Sequence, residues 1–219
     1  MKLQIIISDY TYMKDSYCIA GWSPTEKKMR RLLINGHHWD EKESKFVKGH
    51  SCILIETIPA DPEKQRDYPH KTEDTWISDD IQVLYQYNSP KELAYELESS
   101  LSKTIKHIFN GHLKENSYVL PKTRCASLGA IKVSAGKISF YKDSDEKLRI
   151  KLIDNDNETY DLRVTCRYLR DVLDHEKGLE KLNESLKNVG FAHIRVGLAK
   201  PYYLKNNHCH LMCNGVFLY

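Results

Sequence analysis

The chain has 219 residues, 29% of them charged and 41% hydrophobic, with a formal charge of +3. That length and balance make a soluble globular protein of one large or two small domains and exclude a disordered or fibrous chain. No apolar run approaches the roughly 20 residues of a membrane span, and the opening Met-Lys-Leu-Gln-Ile-Ile-Ile is cut short by Ser8, Asp9 and Tyr10, which suits a first strand better than a signal sequence.

The six cysteines, Cys18, Cys52, Cys125, Cys166, Cys209 and Cys213, are scattered through apolar runs. They read as reduced, buried thiols of a cytoplasmic protein. The charge is uneven: residues 1–110 carry 15 Lys and Arg against 17 Asp and Glu, and residues 111–219 carry 18 against 13. The basic surplus lies in the second half, where an anionic partner is to be sought.

In chain order, Leu3 to Asp9, Tyr17 to Trp22, Arg30 to Ile34, Ser51 to Ile58 and Trp76 to Tyr87 have strand character, with an exposed Pro-rich loop over 60–71. Ser89-Pro90-Lys91-Glu92 then places a capping Ser, a Pro at the first helical position and a Glu at the third. Leu93, Leu97, Leu101, Ile105 and Ile108 follow at steps of three and four, so the spacing predicts one helix ending near Phe109, before Asn110-Gly111.

Strands resume at Ser117 to Leu120. Ser127 to Tyr141 reads as a hairpin about Ala135-Gly136, with Val133 facing Ile138 and Ile131 facing Phe140. A second hairpin, Lys147 to Ile153 with Tyr160 to Cys166, sets Leu148, Ile150 and Leu152 against Val164, Leu162 and Tyr160. A second helix is predicted over Tyr168 to Asn188, kinked at Gly178, before a closing hairpin through Ile194, Val196 and Leu198 and then Leu211, Val216 and Leu218.

The plan is mostly β with two helices, strands then helix, repeated once without residue-level repetition. Two OB-like small β-barrels in tandem fit the length: residues 1–110 a first barrel with a C-terminal helix, and residues 111–219 a second with an inserted helix. A single α+β domain is the rival.

Three pieces of sequence carry a resemblance: the first strand leading into Cys18-Ile19-Ala20-Gly21, Arg30-Arg31-Leu32-Leu33 followed by Gly36, and Arg195-Val196-Gly197-Leu198-Ala199-Lys200-Pro201-Tyr202 with Asn214-Gly215 after it. Together they resemble the dual OB-fold-containing domain proteins of bacterial conflict and anti-phage systems. The resemblance spans the whole chain and implies two OB-like barrels with a nucleic-acid-binding role.

The candidate binding residues follow from charge and face. The register of the second hairpin puts Arg149 opposite Arg163 and Lys151 opposite Asp161. Like charges facing across a strand pair are unfavourable, and a bound phosphate would relieve them. Two Arg side chains splaying into water is the plainer alternative. In the closing hairpin, strand alternation puts Arg195 on the face opposite Ile194 and Val196, with Lys200, Tyr202 and Tyr203 in the loop. A cation for the backbone and a ring for the base are what a single strand needs. Arg31 and Trp39, with Arg30, His37 and His38, form a similar cluster in the first half, where Trp39 is either a stacking platform or a ring folded onto the barrel.

His208-Cys209-His210 with Cys213 invites a zinc site, but along a strand His208 and His210 point away from Cys209 and Cys213. No nucleophile with its base, phosphate loop, dinucleotide glycine turn or calcium loop is present. The expectation is a non-enzymatic protein without cofactor, binding single-stranded nucleic acid or a nucleotide, with a possible protein partner from the same operon and no membrane partner. An adaptor or nucleotide-signal sensor is the second reading, and a metal-dependent hydrolase using the terminal His208, Cys209, His210 and Cys213 the third.

Overall fold

The computed structural model describes residues 1–13, 15–44, 47, 51–201 and 206–219. The first half is a closed barrel of β1 (Lys2–Tyr12), β2 (Tyr17–Ser23), β3 (Lys28–Ile34), β4 (Ser51–Thr57) and β5 (Asp74–Gln86), with the short α1 (Glu41–Ser44) between β3 and β4. The ring order is β1-β2-β3-β5-β4. β1 closes it by pairing with β4 through Lys2 to Ile6 and with β2 from Ile6 onward, and β3 and β5 run parallel. This connectivity is that of an OB barrel.

The chain leaves the barrel through α2 (Pro90–Glu96), where the Ser89 hydroxyl accepts from the Glu92 amide at 3.2 Å, as the capping pattern requires. The single helix predicted over 90–109 is not formed. After α2 come a turn of 3-10 helix, the two-residue β6 (Leu101–Ser102) and a new short helix, α3 (Ile105–Ile108). The reason is the Ser-rich stretch: Ser100 Oγ donates to the Leu97 carbonyl at 2.7 Å and Thr104 caps a fresh start by accepting from His107. Such local hydrogen bonds compete with helix continuation. The apolar period is a coincidence of two packing partners, since Leu93 and Leu97 join one core cluster and Ile105 and Ile108 another.

The second half contains β7 (Tyr118–Val119), β8 (Leu128–Ser134), β9 (Ile138–Lys142), β10 (Leu148–Ile153), β11 (Thr159–Val164), α4 (Arg167–Leu173), α5 (Gly178–Lys187), β12 (Phe191–Leu198) and β13 (Cys209–Leu218). β8 and β9 are not a hairpin. β8 pairs with β12 and β9 with β10, and only residues 135–137 separate them. They are two halves of one interrupted strand, equivalent to β1, so the order β9-β10-β11-β13-β12-β8 repeats the plan of the first barrel, with β11 and β13 parallel. The β10–β11 and β12–β13 hairpins form as expected.

The second predicted helix is broken into α4 and α5, with Lys177 in the left-handed region at φ 58°. Gly178 sits where a Cβ would stand 1.9 Å from the Val172 carbonyl oxygen, so the sharp turn tolerates no side chain there.

Each barrel has its own apolar core, and a third cluster fills the seam between them, with α2 wedged among Ile6, Trp22, Met29, Leu128 and Phe217. The seam also buries ions. β1 bulges at Ser8, between Ile7 and Asp9, and β13 bulges at Asn214, opposite the regular Arg195 and Val196 of β12; in the seam Asp9 meets Arg195. Arg195 is fully buried; its guanidinium donates to Asp9 at 3.2 Å, Ser100 Oγ at 3.1 Å and Met29 Sδ at 2.9 Å. Beside it, Arg31 donates to Asp74 at 2.8 Å and across the seam to Ser127 Oγ at 2.9 Å, while Glu73 accepts from the Ser127 hydroxyl and amide.

Candidate functional site

The seam opens on one side into a cleft. Its central cavity, about 300 Å³, is lined by Tyr12 and Cys18 of β1 and β2, Arg31 and His38 around the end of β3, Arg66 and His70 of the β4–β5 loop, Arg163 to Thr165 of β11 and Arg170 of α4. Leu198 to Lys200, Met212 and Asn214 complete it. Among the described residues no carboxylate lines this central part. A neighbouring cavity of about 310 Å³ shares Tyr12, Arg163, Val164 and Arg170 and adds Lys142, Lys147 and Arg167, with Glu146, Asp171 and Asp174. A third shares Arg66, His70 and Lys200 and adds Tyr68, Lys122 and Asn207, with Asp67. The three form one basic track along the barrel junction.

The position follows from the two OB plans. The outer face of the second and third strands and the 1–2 and 4–5 loops are where such barrels usually hold oligonucleotides. In the second barrel that face carries Arg163, and those loops supply Lys147 and Lys200; the 4–5 loop of the first barrel, between β4 and β5, delivers Arg66 and His70 into the same cleft. Arg163 and Lys200 are exposed and make no ion pair among the described residues. Arg167 and Arg170 stack over Tyr12, their guanidinium carbons 5.7 and 5.4 Å from its ring centre. Arg66 and Arg31 share Asp74, which sits behind them and anchors both.

The electrostatics record this crowding. Burial, and then the charges of Arg66, Lys200 and Arg31, hold the His38 imidazole down to about 4. Burial with Arg31 and Arg66 holds His70 down to about 3. The Lys200 ammonium is also lowered, by burial first and then by Arg66. His38 Nδ1 is buried and has no hydrogen-bond partner among the described residues.

Of the residues expected from sequence, Arg163, Lys200 and Arg31 come together here. Arg149 does face Arg163, and Lys151 faces Asp161. The like-charge pair finds its relief inside the protein, because Arg149 Nε donates to Asp161 at 2.9 Å and to the Tyr141 hydroxyl at 3.1 Å, and its guanidinium lies 3.8 Å from Asp143. No bound anion is needed to hold it. Lys151 is exposed on the same hairpin and lines none of the three cavities.

Two expectations are corrected. Arg195 is not on an open face: it lies on the face opposite Ile194 and Val196, as alternation requires, but the first barrel covers that face of β12, and Asp9 holds the guanidinium in the seam. Trp39 is not a stacking platform, since its ring is fully buried in the first barrel and its indole N–H donates to the Leu32 carbonyl at 2.8 Å. Tyr202, with Tyr203, lies outside the described residues.

His208 stacks on Tyr118 with ring centres 3.7 Å apart, His210 contacts Asn206 Oδ1 at 3.1 Å, and Cys209 and Cys213 are buried. Among the described residues no cluster of His, Cys, Asp and Glu is arranged to hold a metal ion. All six thiols are free.

Sequence reading missed Arg66, His70, Arg170 and Tyr12. Arg167 and Arg170 had a signal, being three apart at the start of a predicted helix whose other side is apolar, whereas Arg66 lies in a charged loop with nothing to single it out.

The model of the family described as "Dual OB-containing domain" matches residues 3–216. Two solved structures are similar over the full length of this chain. One, described as "Molecular basis for abrogation of activation of pro-inflammatory cytokines", has 10% identity, a TM-score of 0.39 and 92% of its own chain covered. The other, of the tetrameric p202 HIN2, has 11% identity, a TM-score of 0.33 and 91% covered. No curated protein matches the chain. No described helix is long and apolar enough to cross a membrane.

Proposed function

The chain belongs to the dual OB-containing domain family, and from that premise we propose that it binds single-stranded nucleic acid along the basic cleft between its barrels, without catalysing a reaction. The observation that carries the reading is the central cavity: Arg163, Arg170, Lys200, Arg66 and Arg31 converge from both barrels and no carboxylate among the described residues lines it. Phosphates seat on the guanidinium and ammonium groups, and a rigid groove of this kind tracks a flexible backbone. Residues 1–110 and 111–219 are the two units of this reading, with α3 reaching across into the second core. The setting of this reading is a bacterial anti-phage system, as the resemblance implies, and a cytoplasmic protein, as the scattered free thiols suggest; a protein partner from the same operon belongs to the adaptor reading.

Fluorescence anisotropy with labelled single-stranded DNA and RNA over a salt series tests it. Affinity should fall steeply with salt, and Arg163→Ala should weaken binding to every sequence alike while reducing the log–log slope by roughly 0.7. Absence of binding at low salt, or binding indifferent to salt, removes the proposal.

A further inference from the structure

The central cavity concentrates more charge than a passing strand demands. An internal phosphodiester carries one negative charge, and a groove that follows a backbone spaces its cations accordingly. Here five cationic side chains surround about 300 Å³. Asp74 and Glu73 stand behind Arg31 and offset two of them at most, which leaves at least three positive charges facing one small volume. Arg31 is itself 3% exposed and held by Asp74 and Ser127, so its position is fixed before any ligand arrives. His38 adds a buried ring nitrogen without a partner among the described residues.

The rest of the lining is of a different kind. Val164, Leu198, Ala199, Leu128 and Met212 give the cavity an apolar wall. Small-ligand sites pair such walls with a few fixed polar groups, and 300 Å³ lies at the lower end of their range. A nucleotide has both halves of this chemistry, a flat base and a charged phosphate.

We infer that the central cavity is a pocket for a nucleotide bearing a phosphomonoester, its base against Leu198, Met212 and Val164 and its phosphate on Arg163, Arg170 and Lys200. A phosphomonoester carries about −1.5 to −2 at neutral pH, against −1 for a diester, so it matches the surplus that a continuous strand leaves unused. The ligand is either the phosphorylated end of a strand or a free nucleotide. This inference rests on the nucleic-acid reading of the cleft and assigns its middle a more specific ligand.

The test compares one labelled single-stranded oligonucleotide with 5′-phosphate, 3′-phosphate or hydroxyl ends, and adds free nucleoside monophosphates as competitors. A phosphorylated end should bind at least tenfold more tightly than hydroxyl ends, or a free monophosphate should displace the oligonucleotide at sub-millimolar concentration. Lys200→Ala should abolish the preference, while Lys142→Ala, at the far end of the track, should lower all affinities alike. Equal, salt-sensitive binding of all ends with no competition by monophosphates overturns the inference and leaves the strand-binding reading intact. Monophosphate binding without oligonucleotide binding supports the pocket and removes the strand.

Discussion

At the scale of single residues, burial decides which cations are free to act. Arg195 and Arg163 are both arginines on strands of the second barrel, yet one is sealed in the seam with Asp9 and the other opens into the cleft. Arg195→Met leaves Asp9 buried and unpaired, and should cost roughly 3–5 kcal/mol in denaturant unfolding; a loss under 1 kcal/mol would mean that solvent reaches the pair. The histidines give a pH signature. Folded-state values of about 4 for His38, 3 for His70 and 4 for His193 lie below the ordinary 6.5, so the unfolded chain takes up protons first as the pH falls. Stability is therefore complete above about 6.5 and lost progressively towards those lower values. Glu73, pushed up to about 7 by burial from 4.5, works the other way between those two values, one group against three. The melting temperature should be lower at pH 5 than at pH 7, and His70→Gln should flatten the difference; a midpoint that rises on acidification contradicts the assignment. Legibility follows the same division. Arg163 and Lys200 could be picked out because regular alternation and a loop position expose them, whereas alternation faces Arg195 correctly away from the second core but carries no sign that the first barrel covers that face.

At the scale of elements, apolar alternation was a reliable guide where a strand has one partner on each side and a poor one where the chain changes partners. The β10–β11 register, with Ile150 opposite Leu162 and Leu152 opposite Tyr160, was readable in full. Residues 128–142 show the same alternation, but the chain continues instead of folding back, because the strand that closes a barrel must pair first with β12 and then with β10. The apolar period over 93–108 failed for a similar reason, its leucines and isoleucines serving two different cores. Gly178 marks where the second helix stops being one helix. Gly178→Ala sets a methyl 1.9 Å from the Val172 carbonyl oxygen and should destabilise the α4–α5 corner by roughly 1–3 kcal/mol, read as a lower urea midpoint. Gly190→Ala is the control, since nothing lies within 4 Å of its added carbon, and it should cost much less.

At the scale of the whole molecule, the cleft exists only because the two barrels are fixed against each other. Arg31 and Glu73 of the first barrel hold Ser127 of the second, Thr72 Oγ1 donates to the Cys125 carbonyl at 2.8 Å, and His70 contacts the Leu198 carbonyl at 3.0 Å. No short motif announces this contact, which is why the cleft was less legible than the barrels. Ser127→Val removes the hydroxyl that both Arg31 and Glu73 use, and should loosen the seam before either barrel. The expected result is faster hydrogen exchange at the amides of 73–75 and 125–128 with the β10–β11 hairpin unchanged; uniform change across both barrels would show that the contact is not a local weld.

The bond between Asp9 and Arg195 joins positions 186 residues apart, and that separation matters during synthesis. The first barrel leaves the ribosome with its seam carboxylate already in place, but the arginine that answers it is made only with β12. Until then a chain stalled before Phe191 presents Asp9 and the apolar seam to water, an invitation to proteases and to self-association. Ribosome-held chains of increasing length should stay protease-sensitive through the first barrel's completion and become resistant in one late step, once β12 and β13 have emerged.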